Sequence, residues 1–531
     1  MWFEVMFART KRVNEVKGSV SGVLRVIVEM FFGSTGYHFR TNGVFLPLEG
    51  GMFVHVFLEL DIIIADEAAL HGFYVCKGSS GLKCCMLCQN VFNSKDTRGI
   101  VDGAGWAVSH DCHQTEKLVL HTRGTIDCIC RRLAAARVEM SKSNFKELQI
   151  RLGWNLVPGS VMETSELRGI VDPTLHAVFD WMHVFFVQGV FNVHMGLLLQ
   201  SLAAFNITCK MLDDYLHQWH WPVHLETKVG QSNGPLSAKR LQTFKKTGVF
   251  AATASEGLCV MQVTAHFLDR VAATSTSEEL KHHITCFHML VAVVSTIRRA
   301  AREVVNPDAL KAISERYLET FKGLYGSEHM IPKFHSVLHF SMFLRRFPYV
   351  PNCFVLERKH KQPKRFANEA RNTAGAWESS VARDVTSRHV SALEGRTAHD
   401  GLQDPVTPPS PSLLAMLQVA LGVGDYMTSK SARINQWERV AKGDVVLLEV
   451  NGERVVGRIA LLVDVAEADG SRAAFCQLEC FEFVVGAGNF GAKFRRSPRL
   501  SIQLLRDIRY AMVWSGTGNS LTALYPSHLE S

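Results

Sequence analysis

Residues 44–66, VFLPLEGGMFVHVFLELDIIIAD, predict two β-strands. The Gly50-Gly51 pair predicts the turn between them, because glycine accepts the backbone angles that tight turns need. The second run is continuous and apolar, which is typical of a strand buried on both faces in the middle of an α/β sheet. Asp66 ends this run, at the sheet edge where catalytic groups commonly lie. Its alternative role is to cap the helix predicted directly after it.

The composition predicts a folded protein of several domains. The chain has 531 residues, and its 47% hydrophobic and 20% charged residues exclude an intrinsically disordered protein. A net charge of +8 permits a nucleic-acid partner without requiring one. Thirteen cysteines is an odd number, and charges interrupt the first apolar run of the chain. We therefore expect no secretory signal and a reducing compartment, where clustered cysteines are candidate metal ligands.

Several apolar segments predict buried helices. Polar residues interrupt the most apolar stretch, 184–205, which favours a buried helix and no membrane partner. Residues 206–350 are predicted to be helical throughout. They carry two apolar stripes at helical spacing, which we interpret as core faces. The stripes are Leu280, Ile284, Phe287, Val291 and Val294, then Leu310, Ile313, Tyr317, Phe321 and Leu324.

The C-terminal part has the pattern of a small β module. The segment 401–412, GLQDPVTPPSPS, is predicted to be a linker. Beyond it, the apolar residues recur with period two, and Asn451-Gly452 and Asp469-Gly470 are hairpin turn signals. Three short strands with tight turns predict a small β-barrel at 436–531.

The pair Cys85-x2-Cys88 is the main candidate for a metal site. Two thiolates at this spacing can bind one Zn²⁺, which needs two further ligands. The nearest supply is Cys112 with His110 or His113, and Cys76 and Cys84 are alternatives. Structural free thiols and a redox pair remain open as other interpretations. The chain has no HExxH motif, which speaks against a stand-alone zinc hydrolase.

Two further acidic positions are candidates for catalysis. Asp180 and His183 are three residues apart, so they lie on one side of a helical turn and could hydrogen-bond or share a catalytic pocket. The alternative is an N-cap aspartate beside a satisfied histidine. Glu357 opens a basic segment whose cations could contact phosphates, or serve only as a nuclear-import signal or a solvated face. The cations are Arg358, Lys359, Lys361, Lys364 and Arg365.

Together, these acids suggest one chemistry. Two Mg²⁺ ions held by carboxylates activate water or a 3′-hydroxyl for attack on a phosphodiester, and Mn²⁺ can replace Mg²⁺. The nearby Lys and Arg residues would face the polyanionic substrate.

Four blocks of the sequence resemble the transposases of CACTA-type (En/Spm-like) DNA transposons. The blocks are ADEAALHGFYVCKGSSGLKCCMLC (65–88), FDWMHVFFVQGV (179–190), KFHSVLHF (333–340) and CFVLERKHK (353–361). They span about 65–365, and their order and spacing are jointly more specific than any one block.

The resemblance implies an RNase H-like catalytic domain with a DDE triad. Asp66 would match the second catalytic Asp, Asp180 and His183 the D-x-x-H block, and Glu357 the final carboxylate. The cysteine pair would match that of the family. The implied activity is Mg²⁺-dependent cleavage and joining of transposon ends, with DNA as partner and the nucleus as location.

One departure from the family concerns the first catalytic Asp. It should lie on the strand next to the second Asp, but the only Asp upstream of Asp66 is Asp61, on the same predicted strand. We therefore expect a gene that is truncated at its 5′ end, a wrongly predicted start of the chain, or a decayed copy. An incomplete triad would bind metal poorly.

The predicted architecture is an α/β, RNase H-like core with two inserts, followed by a small β-barrel of the SH3 or BAH kind. The expected function is that of a transposase-like protein, active or inactive, with a non-catalytic DNA- or chromatin-binding protein as the alternative. A homo-oligomer and a chromatin ligand of the barrel stay open. The expected parts are core strands at 1–75, a zinc-knuckle insert at 76–135, further core at 136–205, a helical insertion at 206–350, a core-closing helix at 351–400, a linker and helix at 401–435, and the barrel at 436–531.

Overall fold

The computed structural model is mixed α/β, as predicted. The chain divides into two compact units, Met1–Val190 with Ala300–His389, and Phe191–Arg299 with Val390–Ser531. The residues that the structure describes are 10–34, 36–93, 106–222, 234–301, 303–353, 377–394, 401–403, 405–434, 439–450, 452–466, 472–487, 490–517 and 519–524.

The first unit begins with two helices and ends with the helices that follow residue 300. Its strands are short and pair two by two in the described residues. Its elements are α1 (Thr10–Glu15), α2 (Ser19–Phe32), β1 (Val44–Pro47), β2 (Phe53–Val56), β3 (Ile63–Ala65), α3 (Glu67–Tyr74), β4 (Val91–Phe92), β5 (Val108–Ser109), α4 (Arg123–Glu139), α5 (Lys142–Leu152), α6 (Ser165–Ile170), α7 (Pro173–His176), β6 (Ala177–Phe179), α8 (Trp181–Phe186), α14 (Pro307–Tyr325), α15 (Pro332–Val337) and α16 (His339–Arg346).

The predicted hairpin at 44–66 is present, but its continuation is wrong. Gly50 and Gly51 both have positive φ angles, 82° and 76°, and turn the chain between β1 and β2. The second strand ends at Val56, and β3 starts only at Ile63. β1 and β2 pair only with each other in the described residues, and most of their side chains are exposed. The expected strand buried on both faces is therefore absent here.

A parallel pair of strands lies at the centre of the first unit. β3 pairs with β6 in parallel, with Ala65 opposite Phe179. Aromatic rings of α16 pack against this pair, with Phe343 5.9 Å from Phe179 of β6, and Phe340 of α16 stacks on Phe185 with ring centroids 5.7 Å apart. The described part of this unit shows a two-stranded pair where a larger mixed sheet is expected, so the RNase H-like core stays a prediction.

The helices of the second unit carry the predicted apolar stripe. The residues Leu280, Ile284, Phe287, Val291 and Val294 are all buried along α13. The second predicted stripe lies in the first unit, on α14, which begins with Asn306 as its cap. The helices of the second unit are α9 (Val190–Ala204), α10 (Cys209–Leu216), α11 (Ala238–Thr247), α12 (Ala254–Thr274), α13 (Glu278–Arg299), α17 (Trp377–Glu394) and α18 (Pro411–Leu421), of which α9 and α17 begin in the first unit.

Two helical stretches are long and apolar enough to cross a membrane by length and composition alone. They are Trp181–Ala204 and Glu278–Arg299, and 72% and 61% of their most apolar windows are buried inside the protein. Burial of this extent is what core helices show, so these helices are weak evidence for a membrane span.

The predicted helical insertion at 206–350 is divided between the two units. Its residues up to Arg299 belong with the β module, and those from Ala300 onward belong with the N-terminal half. The helical pattern gave no sign of this division, because apolar periodicity shows which face of a helix is buried but not against what it packs.

The C-terminal strands form a sheet whose order returns on itself. The order is β12-β16-β17-β15-β14-β13-β9-β8, and β12 also pairs with β13. Its described residues contribute to three buried clusters, around Leu448 and Cys476, around Phe481 and Phe494, and around Tyr426 and Val463. The strands are β7 (Gly401–Leu402), β8 (Val406–Thr407), β9 (Tyr426–Ser429), β10 (Ser431–Arg433), β11 (Arg439–Ala441), β12 (Val445–Val450), β13 (Glu453–Ala466), β14 (Arg472–Gly486), β15 (Gly491–Leu504), β16 (Ile508–Thr517) and β17 (Ser520–Leu524).

The strands predicted for the β module coincide with strands of the structure, and the segment predicted as a linker also contains strands. The segments expected at 445–448, 455–465 and 474–485 lie within β12, β13 and β14. The proline-rich segment contributes β7 and β8, and β8 is the last strand of the large sheet. Prolines are tolerated at such an edge, because an edge strand leaves half of its backbone groups unpaired.

Gly196→Ala should destabilise the second unit. An added Cβ at Gly196 in α9 would lie 2.4 Å from the carbonyl oxygen of Gly248. We expect a loss of about 1–3 kcal/mol, measured by urea denaturation followed by circular dichroism. The matched control is Gly323→Ala in α14, where a Cβ meets no atom within 4 Å. This change should raise stability by about 0.5–1 kcal/mol, and equal effects of both changes would contradict the packing argument.

Candidate functional site: two aspartates and a cysteine–histidine cluster

Asp66 and Asp180 follow two adjacent parallel strands. Asp66 comes directly after β3 and Asp180 directly after β6, and each precedes a helix. The register places Ile63 opposite Ala177 and Ala65 opposite Phe179, so the two strands end level with each other. The carboxyl ends of parallel strands meet at one edge of a sheet, and both aspartates lie at this edge.

Each aspartate caps the helix that follows it, as the alternative interpretations predicted. Asp66 accepts the backbone N–H of Ala69 at 2.6 Å. Asp180 is almost completely buried, and its Oδ1 accepts the N–H groups of Met182 and Cys353, both at 3.1 Å. Capping of this kind satisfies helix-end donors and is favoured by the helix dipole. Both carboxylates are therefore held in fixed positions.

The predicted contact between Asp180 and His183 is present. Oδ2 of Asp180 forms a short hydrogen bond with Nδ1 of His183. The histidine is mostly buried, with 13% of its side chain exposed. A carboxylate bonded to Nδ1 fixes the tautomer and the orientation of the imidazole ring.

Lys333 is a member of this site that the sequence analysis did not identify. Its ammonium donates to the carbonyl oxygens of His183 at 3.1 Å and Val187 at 2.6 Å. Burial lowers the pKa of Lys333, and the nearby carboxylates of Glu67, Asp66 and Asp180 oppose this effect. A small cleft opens between these groups, lined by Ala65, Glu67, Phe179, Asp180, His183, Val184, Lys333 and Ser336.

The expected Mg²⁺ site is not supported at these carboxylates. In the described part of the chain, no three metal-ligating side chains converge around Asp66 and Asp180. Lys333 already places one cation beside them. Glu357, the expected third carboxylate, lies outside the described residues. So do the expected DNA contacts Arg358, Lys359, Lys361, Lys364 and Arg365.

A second cluster joins Cys85 and Cys88 to His335 and His339. The four ligand atoms all lie within 4.8 Å of one another, and all four side chains are buried. Sγ of Cys85 is 3.4 Å from Nε2 of His339, and Sγ of Cys88 is 3.5 Å from Nε2 of His335. Tetrahedral zinc with ordinary bond lengths would separate sulfur and nitrogen ligands by roughly 3.5 Å. The donor set and spacing fit a metal such as zinc.

Local structure positions each half of the cluster. The N–H of Leu87 points at Sγ of Cys85, at 3.4 Å, as the chain turns between the two cysteines. The two histidines are four residues apart across the junction of α15 and α16, so their rings lie on one side. Their Nε2 atoms are 3.0 Å apart. Two short local motifs therefore supply two ligands each.

The electrostatics of the cluster suit metal binding. Burial by itself would raise the pKa of Cys85, but the Cys88 hydrogen bond and the imidazoles of His339 and His335 hold it well below its usual range. Burial and the Cys85 thiolate raise the pKa of Cys88. Burial lowers the pKa of His335, which keeps this imidazole neutral. A thiolate and neutral imidazoles are the forms that ligate metals.

The residues expected as the second pair of ligands make other contacts. His110 bonds through Nε2 to the carbonyl oxygen of Met330 at 2.6 Å. Cys112 donates to the carbonyl oxygen of Gln114 at 3.6 Å, and Nε2 of His113 lies 3.9 Å from Glu319. None of the three belongs to the cluster. Proximity in sequence was the wrong criterion, because the actual partners lie 247–254 residues away.

A signal for the true partners was present in the sequence. The block KFHSVLHF contains His335 and His339 as H-x3-H, a spacing that pairs with C-x2-C in many zinc sites. The large separation hid this relation.

Exchange of a cluster ligand should abolish metal binding. We expect about one zinc ion per chain in the purified protein, and its loss in Cys88→Ser and in His339→Gln, measured by mass spectrometry of total metal. Removal of the metal by a chelator should lower the thermal midpoint, since metal binding contributes to folding.

Cys112→Ser is the matched control for these variants. Its thiol is bonded within its own loop, so zinc content should not change. Retention of zinc by His339→Gln, or its loss in Cys112→Ser, would contradict the assignment of the ligands.

Comparisons of the chain with protein-family models, with curated proteins and with solved structures found no match.

Proposed function

We propose that this protein is a DNA-processing protein of the transposase type, with Asp66 and Asp180 as paired catalytic carboxylates. The observation that carries the proposal is the position of both residues at the ends of adjacent, in-register parallel strands. An RNase H-like active site needs two aspartates on neighbouring strands. Asp66 is then the first aspartate of the site and Asp180 the second, in place of the assignment made from the sequence.

The order of the chain around Asp180 supports Glu357 as the third carboxylate. Oδ1 of Asp180 accepts the N–H of Cys353, four residues before Glu357 in the sequence. Asp66, Asp180 and Glu357 would together hold Mg²⁺ or Mn²⁺, which supplies an activated water or hydroxyl and stabilises charge on the phosphate.

The residues around the two aspartates have separate tasks in this proposal. His183, oriented by Asp180, is placed to accept or donate a proton through Nε2. Lys333 balances the carboxylate charge when no metal is bound and offers a cation to a phosphate. The cations from Arg358 to Arg365 would contact the DNA backbone.

The cysteine–histidine cluster has a structural role in the proposed function. His335 follows Lys333 by two residues, so a metal at the cluster fixes the helix that positions Lys333. Closed sites with four protein ligands are structural, because no coordination position is left for a substrate. The substrate would be transposon DNA, and the location the nucleus.

DNA binding without cleavage is the second candidate function. Lys333 favours it, because a protein cation beside Asp66, Glu67 and Asp180 already provides the positive charge that a catalytic metal would otherwise supply. The β module would then serve as a chromatin- or DNA-binding element.

Asp180→Asn should remove Mn²⁺-dependent nicking of supercoiled DNA. We expect a loss of at least about 100-fold for this variant and for Asp66→Asn, because each removes a metal ligand. The assay measures the conversion of supercoiled to relaxed plasmid.

Asp61→Asn is the matched control. It removes an exposed aspartate five positions before Asp66 and should cut at the wild-type rate. Wild-type protein that binds DNA but does not cut it with Mg²⁺ or Mn²⁺ would favour the second candidate. Cutting that persists in Asp180→Asn would refute the proposed site.

A further inference from the structure

The second unit contains a cleft of about 540 Å³ that shares no residue with the aspartates or the cysteine–histidine cluster. One wall comes from α10, α12 and the residues after α10, and the other from strands of the β module. Its volume is within the range of small-ligand sites. The lining residues that matter here are Tyr215, Trp219, His266, Arg270, Lys493, Ser515 and Thr522.

The helical wall is aromatic at its centre, with the charged residues Asp269 and Arg270 of α12 beside the rings. Tyr215 and His266 lie nearly parallel, with ring centroids 6.2 Å apart, and Trp219 packs edge-on against His266 at 5.3 Å. Oη of Tyr215 is 2.6 Å from Nδ1 of His266. Burial lowers the pKa of His266 and raises the pKa of Tyr215, so both are neutral at neutral pH. Tyr215 and Trp219 are largely buried, with 8% and 6% exposed, so a flat aromatic group would meet the small part of each ring that lines the cleft.

The strand wall is a row of hydrogen-bond donors. Lys493 on β15 is opposite Thr522 on β17, and Thr522 is opposite Ser515 on β16. Residues that are directly opposite each other across strands point to the same face of a sheet. In the described residues, neither hydroxyl has a hydrogen-bond partner. One ammonium and two hydroxyls in a row are suited to an anion such as a phosphate.

Backbone hydrogen bonds hold the two walls at a fixed distance. The N–H of His220 donates to the carbonyl oxygen of Trp514 at 2.7 Å, and the N–H of Trp514 donates back to His220 at 3.1 Å. The two rings also stack, with centroids 4.2 Å apart. Trp219 directly precedes His220, and Ser515 directly follows Trp514. The aromatic wall and the donor row therefore each contain a residue that is adjacent in sequence to this pair of hydrogen bonds.

The charge of the cleft favours an anion. Arg270 and Lys493 are exposed, whereas Asp269 is the one carboxylate of the lining and lies 3.6 Å from His288. The guanidinium of Arg270 sits 5.6 Å from the Tyr215 ring centre, beside the aromatic wall. Neither cation has a carboxylate partner in the part of the chain that is described. Arg270 also hydrogen-bonds the Tyr215 side chain, and both cations are exposed at the cleft, where a phosphate could meet them.

We propose that this cleft binds one nucleotide of single-stranded DNA, with the base against Tyr215 and Trp219 and the phosphate on Lys493, Thr522 and Ser515. Aromatic walls beside basic groups are the usual means of binding single strands, because every base has a face that can stack. This inference rests on the proposed function for the identity of the nucleic acid.

Binding can be measured by fluorescence anisotropy with a labelled oligo(dT) 12-mer and the full chain, in EDTA so that no cleavage occurs. Lys493→Gln with Arg270→Gln should weaken binding about tenfold, since the first loses a charge-assisted hydrogen bond to the phosphate and the second removes the neighbouring positive charge. The slope of log Kd against log salt should fall by about one for each lost cation.

The matched control is Lys442→Gln, an exposed lysine of the same module that does not line the cleft. Its Kd should stay within about twofold of wild type if binding is local to the cleft. An equal loss in Lys442→Gln and in the double variant would overturn the proposal, because it would reflect general charge alone.

An abasic 12-mer and thymidine monophosphate test the two halves of the ligand. The abasic strand keeps the phosphates and should bind about tenfold more weakly, because it has no base to stack. Thymidine monophosphate should compete only weakly. Equal affinity for the abasic strand would refute the role of the aromatic wall, and equal affinity for the mononucleotide would refute the assignment to a strand.

The outcome of these binding measurements is independent of the cleavage assay. Loss of binding in the cleft variants, with Lys442→Gln binding normally, supports the inference even if no cutting is seen. Normal binding by the cleft variants would overturn it and leave the proposed function standing.

Discussion

The first unit depends on one constraint, which is that two distant pairs of ligands meet in a buried space. Cys85 and Cys88 come from the segment after α3, and His335 and His339 from the helices after the long helical region. Burial of polar atoms is costly unless they are partnered, and the four atoms lie close enough together to share one metal ion. α15 also packs against α8, where Lys333 donates to the carbonyl oxygens of His183 and Val187. The cluster and the carboxylate site are thus parts of one arrangement.

The sequence predicted the local features of the site better than it predicted which residues meet there. Asp66, Asp180 and His183 were identified from strand ends and helical spacing, and the structure places all three at one sheet edge. Lys333 escaped notice because nothing in its own neighbourhood marks it. Its importance comes from carbonyl groups and carboxylates that are distant in sequence. The same applies to His335 and His339, whose spacing was visible but whose partners were not.

The prediction of the fold from the sequence has the same limit. Periodicity identified α13, α14 and the strands β12 to β14, because these patterns depend on neighbouring residues. It did not reveal that the helical region is shared between two units, or that the proline-rich stretch supplies a strand to the β module. It also predicted a buried strand at 53–65, where Phe53 and Phe57 are in fact exposed. Hydrophobicity predicts burial only if another element is available to cover the residue.

The distance along the chain between the two halves of the cluster has a consequence for synthesis. Cys88 and His335 are 247 residues apart. At roughly 5–20 residues per second, the thiols leave the ribosome some tens of seconds before the histidines exist. During that time, this chain can offer a metal only two of the four ligands, Cys85 and Cys88. The nascent chain would therefore depend on the reducing power of its surroundings to keep Cys85 and Cys88 from oxidising before the ligand set is complete.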